Sequence, residues 1–209
     1  NTFSIELYGE KAYHTGIAVP VFSLRTENSS GVGQFSDLKK LADFTYRSGM
    51  DVIQLLPIND TTTFMDWRDS YPYRAISVFA LHPLYLDIHE FWKSYTKEQQ
   101  AKLLILESEL NSLEKIDYER CLALKWEYAQ IIYQNLAVKY QKTKAYQQFY
   151  KQNEEWLKAY ACFSYLRDIN KSANFLAWGK NVNYDKNLFD NLKKETSQLD
   201  LYIFVQYLL

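Results

Sequence analysis

Apolar positions follow two regimes along this chain. Up to about residue 95 they come in short unbroken runs separated by polar loops; from Thr96 they recur every three or four positions. Gly16–Phe22 is a continuous apolar run with β-branched valines, which predicts a strand, and Pro20 confines it to a sheet edge or a rim. The loop Ser23–Phe35 carries Gly31 and Gly33. Ser36 reads as an N-cap with Asp37 in the first turn, opening a helix with a stripe of Leu38, Leu41, Ala42, Phe44 and Thr45 that Gly49 closes. Val52–Ile58 is a second apolar run, stopped by Pro57. Strand, helix, strand is a βαβ unit, which implies parallel pairing with a right-handed crossover. Asn59–Tyr73 is a long polar and aromatic loop, and loops of that length in compact domains are usually functional. Ile76–Ile88 reads as a short helix followed by a strand, or as two short strands.

Beyond residue 95 the 3.6-residue period takes over. Thr96 and Gln99 form a capping-box pattern ahead of Leu103, Leu106, Leu110 and Leu113. A second helix is expected over Asp117–Lys142, with Leu122, Trp126, Ile131, Ile132 and Leu136 on its apolar side. A third is expected over Lys144–Asn170, with a break near Asn153, then a linker Asn174–Asp190 and a last helix from Gln198. That helix stops on Leu208-Leu209 without cap or polar tail, which reads as a truncated pattern. Three segments follow: 1–95 with the strand–helix units, 96–195 as a helical insertion, and 196–209 as the start of a further helix.

Composition narrows the function classes. Of 209 residues, 47% are hydrophobic, enough for a substantial core. The 24 basic and 25 acidic side chains leave a net charge of −1, which gives no electrostatic reason to expect nucleic acid or an anionic membrane as partner. The apolar run at Leu201–Leu209 falls well short of the ~20 residues a membrane helix needs. Cys121 and Cys162 sit alone in helical patterns and read as buried thiols, which fits a reducing cytoplasm. No secretory signal pattern opens the chain, whose first residue is Asn1. The 18 Tyr, 12 Phe and 5 Trp suit helical cores first and sugar faces second.

Several constellations compete for chemistry. Gly31-Val32-Gly33 lies between a strand and a helix, as a dinucleotide loop would, but Ser36 stands where the third glycine belongs, so a turn-forming role is favoured. Ser70 or Ser77 with His82 or His89 lacks the Gly-x-Ser-x-Gly elbow of a hydrolase, and three histidines without metal-ligand spacing argue against zinc. Asp60, Asp66 and Asp69 follow the second strand. A retaining glycosidase needs two carboxyls ~5–5.5 Å apart, but acids on a loop more often bond backbone amides, and that shaping role is favoured. Trp67, Tyr71 and Tyr73 crowd the same loop, where sugar stacking and packing stand level.

Three stretches together resemble the amylomaltase or disproportionating-enzyme family, the 4-α-glucanotransferases of glycoside hydrolase family 77. They are Pro20–Arg25 with Gly31–Leu38, then Val52–Asp60, then Asp69-Ser70-Tyr71-Pro72-Tyr73 leading to Ser77–Tyr85. Trp156–Asp168 and Phe204–Leu209 also look like family helices. The five-residue form with Tyr71 and the Asn59-Asp60 pair look most like the maltose-using branch that includes the plant cytosolic enzyme. Members of that branch often carry starch-binding domains upstream.

The resemblance implies an α/β fold: a partial (β/α)8 TIM barrel with a large α-helical insertion. It implies transfer of α-1,4-glucan segments between maltooligosaccharides by a retaining double displacement, with no cofactor or metal. The catalytic carboxylates come from later strands, so none carries over to this chain, which by itself is expected to be inactive and to need the remainder of the barrel as partner. Tyr73 matches the tyrosine beneath the sugar next to the scissile bond, and Ser70 a nearby hydrogen-bonding serine. Asp69 is expected to shape the loop and Trp67 to touch an outer sugar. A maltooligosaccharide-binding module without catalysis and a helical protein-interaction domain are the alternative classes.

Overall fold

The structure is a computed structural model and describes residues 13–209. Two parallel strands, β1 (Gly16–Val19) and β2 (Val52–Leu55), pair with Gly16 opposite Val52 and Val19 opposite Leu55. Close approach explains the glycine: a Cβ on Gly16 would lie 2.3 Å from the Val52 carbonyl oxygen. Both strands are shorter than the apolar runs that announced them. After Val19, Pro20 accepts from the Ser23 N–H at 3.1 Å and the chain coils into a 3-10 turn at Val21–Ser23. Between the strands runs α1 (Asp37–Arg47).

The start of α1 corrects the expected cap. Ser36 is already helical, with φ −62° and ψ −27°, and its side chain makes no cap bond. Asp37 ties down the preceding loop instead, accepting from the Gln34 N–H at 2.9 Å, the Ser29 hydroxyl at 3.1 Å and the Thr26 hydroxyl at 2.7 Å. Gly49 closes the helix with φ +70°, as expected.

Neither alternative for Ile76–Ile88 survives as regular structure. Leu81 forms an isolated antiparallel bridge with Asn59, and 3-10 turns follow at Pro83–Tyr85 and Ile88–Ser94. Proline has no N–H for a ladder, and the His82 Nδ1 accepts from the Leu84 N–H at 3.2 Å, which starts a turn there.

The helical part opens with α2 (Lys97–Ser112), whose Thr96–Gln99 capping box forms as the pattern predicts. The next helices are α3 (Tyr118–Gln141) and α4 (Lys144–Asn170). α4 is unbroken at Asn153, because that side chain bonds within the helix, to the Phe149 carbonyl at 2.8 Å and the Trp156 indole at 2.9 Å. Part of the expected linker is a helix, α5 (Lys186–Glu195), capped by Asp185. α6 (Gln198–Leu208) is apolar around its circumference and lies between two buried clusters. Phe204 and Val205 join a cluster with Val21, Leu84, Leu103 and Ile132; Leu199 and Ile203 join one with Leu157, Ala161 and Phe189. Among the described residues no helix is long and apolar enough to cross a membrane. Both cysteines are buried and free.

The loop Ser23–Phe35 is bound to α2 rather than left open. The Arg25 guanidinium donates to the Leu110, Asn111 and Leu113 carbonyls at 3.2, 2.6 and 2.9 Å, capping the C-terminus of α2. Gly31 has φ +79°, and a Cβ there would lie 2.6 Å from the Leu110 Cβ and 2.8 Å from the Cys121 sulfur. The Gly31-Val32-Gly33 motif therefore makes a turn, the role favoured from sequence, and one packed tightly against α2 and α3. The buried Glu107 carboxylate accepts from the Ser30 hydroxyl at 2.7 Å and meets the His89 Nε2 at 2.6 Å.

That last contact carries a pH dependence. The Glu107 hydrogen bond raises the His89 imidazole above its ordinary value; burial and Lys125 oppose this, and Asp87 adds to it. A raised folded-state value means that the stabilisation is complete below the unfolded value of ~6.5 and fades as pH climbs through the folded value. His89→Gln should flatten stability against pH above ~6.5 and cost about 1 kcal/mol at pH 6, read from urea melts. Equal slopes for the two proteins would show that His89 does not titrate with folding.

Candidate functional site

Pro57 ends β2, and the chain then runs through the loop Asn59–Tyr73 at the strand's C-terminal end, the side on which barrel enzymes carry their chemistry. The three acids of this loop are all committed to its shape. Asp60 is buried and accepts from the Thr62 N–H at 2.9 Å, the Thr62 hydroxyl at 2.6 Å and the Tyr160 hydroxyl at 2.7 Å. Asp66 caps the 3-10 turn Trp67–Ser70 and pairs with Arg68 at 2.6 Å. Asp69 gathers the Thr63, Phe64 and Met65 N–H groups on one carboxylate oxygen at 3.0, 2.9 and 2.6 Å. Met65 takes the left-handed φ of +61° within that turn. The Thr61 hydroxyl donates to the Asp69 carbonyl and ties the two limbs together.

Beside the loop lies a cleft of about 210 Å³. Trp67, Asp69 and Ser70 line it from the loop; Phe22, His82, Tyr85 and Tyr118 line it from elsewhere. Of the four site residues read from sequence, three therefore meet at one cleft. Tyr73 does not line it: the ring is 60% exposed and sits 5.5 Å from Tyr71. Trp67 is 68% exposed, and its backbone N–H donates to the Glu119 carboxylate of α3 at 3.0 Å.

Hydroxyls and rings dominate the electrostatics of the cleft. Burial pulls the His82 imidazole below its ordinary value, against the opposing pull of Asp60 and Asp69. Its Nδ1 accepts from the Leu84 N–H, so the neutral ring carries its proton on Nε2 and donates it to the Tyr118 hydroxyl at 3.1 Å. Burial pushes the Tyr85 hydroxyl up to about 12 and Tyr118 upward as well, so both are neutral donors and acceptors at pH 7. These groups can hold a neutral polyhydroxylated ligand by stacking and hydrogen bonds.

The hydrolase alternative does not assemble. His82 bonds Leu84 and Tyr118, His89 faces Glu107, and the Ser77 hydroxyl accepts from the Phe79 and Ala80 N–H groups at 3.1 Å. Among the described residues no group of three or more His, Cys, Asp or Glu side chains could hold a metal ion. Tyr118 and Tyr85 escaped the reading of the residues. Tyr118 opens α3 forty-five positions beyond Tyr73 in sequence, and in the folded chain it meets His82 at the cleft.

The parallel strand pair, the loop and cleft at its end and the helices packed with them have a counterpart among solved structures. The solved amylomaltase from Corynebacterium glutamicum superposes with a TM-score of 0.70 over 93% of this chain and 26% of that one, at 16% identity, a likeness of fold. Sequence identifies the family: residues 19–209 match the family model described as 4-alpha-glucanotransferase, and the chain belongs to that family. It is 39% identical over 194 residues to the 4-alpha-glucanotransferase DPE2 of Oryza sativa subsp. japonica, across 92% of this chain and 20% of the relative. The 4-alpha-glucanotransferase of Chlamydia caviae is 31% identical, across 92% of this chain and 36% of the relative. That of Chlamydia pneumoniae is 30% identical, across 97% and 38%. The chain thus spans 20–38% of the length of these curated relatives.

Proposed function

We propose that this chain forms the sugar-holding side of a 4-α-glucanotransferase that passes α-1,4-glucan segments between maltooligosaccharides or starch-derived glucans by a retaining double displacement. The observation that carries this reading is the family match along residues 19–209. In this reading β1, α1 and β2 are the first units of a (β/α)8 barrel, residues 96–195 are a helical insertion, and 196–209 begin a further barrel helix. The parallel pairing and the amylomaltase likeness support the barrel. The remaining strands supply the catalytic acids, because Asp60, Asp66 and Asp69 are spent on the loop. Maltose as a substrate and a cytoplasmic setting belong to the same reading, through the resemblance of Asn59-Asp60 and Asp69–Tyr73 to the maltose-using branch.

Ser70 and Trp67 contact sugar at the cleft, the hydroxyl by hydrogen bonding and the indole by its exposed face. Asp69 acts through the loop it folds. Tyr73, by its match to the tyrosine beneath the sugar next to the scissile bond, offers that sugar an exposed ring. The cleft of about 210 Å³ is below the ~300 Å³ of a complete ligand pocket, as one wall of a longer groove would be.

Incubation with maltotriose tests the reading. The full-length polypeptide should release glucose and build longer chains, and the 209-residue chain alone should release none. Equal maltoheptaose affinity for the two in titration calorimetry would instead favour a binding module. In the full-length protein, Tyr73→Ala should lower kcat/KM for maltooligosaccharides roughly tenfold, about 1.4 kcal/mol, through lost ring contact and with little loss of stability. Unchanged kinetics would remove Tyr73 from the site.

A further inference from the structure

Helices α4 and α6 reach across the molecule to the Asn59–Tyr73 loop through buried polar side chains. Arg167 of α4 is 2% exposed, yet it donates from Nη1 to the Thr62 carbonyl at 2.8 Å. Its Nε bonds Asp168 at 2.7 Å, and Asp168 in turn accepts from the Tyr202 hydroxyl of α6 at 2.6 Å. Two helical turns earlier on α4 come the Tyr160 hydroxyl and its bond to Asp60. Gln206 of α6 completes the frame: its amide brackets the Leu81 N–H and carbonyl, each at 2.8 Å, and reaches the Tyr160 hydroxyl at 3.4 Å.

A guanidinium is expensive to bury and adds little to stability compared with an apolar side chain of the same volume. What it can do is fix a backbone group that no secondary structure fixes. The Thr62 carbonyl is such a group. It lies immediately before the three N–H groups that Asp69 collects, and Ser70 follows Asp69. Holding Thr62 in place therefore sets the frame on which Trp67, Asp69 and Ser70 stand.

We propose that Arg167 and Tyr160 are positioning residues for glucan binding, acting through the Thr62 carbonyl and the Asp60 carboxylate. The proposal rests on the reading of this loop as sugar-holding. It assigns to the helical segment a part in substrate affinity, although neither residue lines the cleft.

The test uses the full-length polypeptide with Arg167→Met, Arg167→Lys and Tyr160→Phe. Hydrogen exchange of the Thr63, Phe64 and Met65 amides should speed up about tenfold or more in Arg167→Met while the amides of α2 keep their rates. KM for maltooligosaccharides should rise about fivefold or more, with kcat within about twofold. Lysine can still donate to the Thr62 carbonyl, so Arg167→Lys should recover part of that KM; Tyr160→Phe keeps the ring in place and should show the same split in a protein that folds. A purely structural role would lower the melting temperature, raise exchange throughout α4 and leave KM alone, and that outcome overturns the proposal. Loop-selective exchange with no KM change in these variants overturns the proposal; if Trp67→Ala also leaves KM unchanged, the failure lies in its premise, because the loop would then not hold sugar.

Discussion

Replacing Asp69 with alanine is expected to cost the protein about 3–4 kcal/mol of stability, the largest single loss in the loop Asn59–Tyr73. The reason is the number of backbone donors that depend on this one side chain. Thr63, Phe64 and Met65 all give their N–H groups to it, the Phe64 N–H reaching both oxygens. Alanine leaves three partly buried donors without an acceptor, each worth ~1–3 kcal/mol when stranded, and part of that is recovered where the loop can open to water. Met65 adds to the loss, since its φ of +61° is held only by the turn that the carboxylate closes. Asparagine separates the causes. One oxygen serves all three donors, and the other serves only Phe64. An amide with its oxygen in the shared place keeps the turn, so Asp69→Asn should cost only about 1 kcal/mol. Urea melts of the two variants check this. Equal losses would mean that charge, and not the geometry of acceptance, holds the loop. Glucan affinity should fall further in Asp69→Ala than in Asp69→Asn, because Ser70 loses its place with the turn.

The same loop shows what could be read from residues and what could not. Chain-local signals were legible: the short apolar runs that place β1 and β2, the Thr96–Gln99 box, the Gly49 stop, and the preference of loop aspartates for backbone amides over catalysis. Where two local signals met, the nearer one prevailed. Pro20 shortened β1 and Pro83 replaced a strand with a turn, while Asp37, not Ser36, organised the start of α1. Helix α5 hid in a polar stretch because its stripe, Leu188, Phe189 and Leu192, is short and follows a run without period. Contacts between charged residues and distant backbone were not legible at all. Nothing in the helical patterns marks Arg167 or Lys125, yet each is buried against an earlier part of the chain, Arg167 on the Thr62 carbonyl and Lys125 on the Leu86 carbonyl and the Gln34 side chain. Tyr118 and His82 meet at the cleft by a side-chain contact across 36 positions that was equally illegible. Periodicity reports which face of a helix is apolar; it is silent about one polar side chain that crosses the core to a partner.

Lys125 provides the second large effect, and its sign reverses the usual intuition about buried charge. The amine is fully buried on α3, donating to the Gln34 side chain and, at 2.7 Å, to the Leu86 carbonyl. Burial pulls it down to about 8, against the upward pull of Asp87, Glu107, Cys121 and Asp37. In the unfolded chain the value is ~10.4. Between those limits the unfolded chain holds the proton more tightly, so the contribution of this lysine to stability grows with pH, by about 3 kcal/mol once the folded amine is neutral. The unmodified protein will mask that rise. Burial pushes the Cys121 and Cys162 thiols up to about 11 and about 12, and Tyr85 up to about 12, so the unfolded chain sheds these protons first and stability falls with alkali. A comparison with Lys125→Met cancels those shared contributions. At pH 7 methionine relieves the buried charge but strands two acceptors at ~1–3 kcal/mol each, so the variant should lie within about 2 kcal/mol of the parent. At pH 10 the parent has regained what its charge had cost, and the variant should be about 3 kcal/mol further behind. Urea melts at the two pH values measure the difference. A gap that does not widen with pH would place the titration of Lys125 outside this range and make the amine a permanently charged tie between α3, Gln34 and the chain at Leu86.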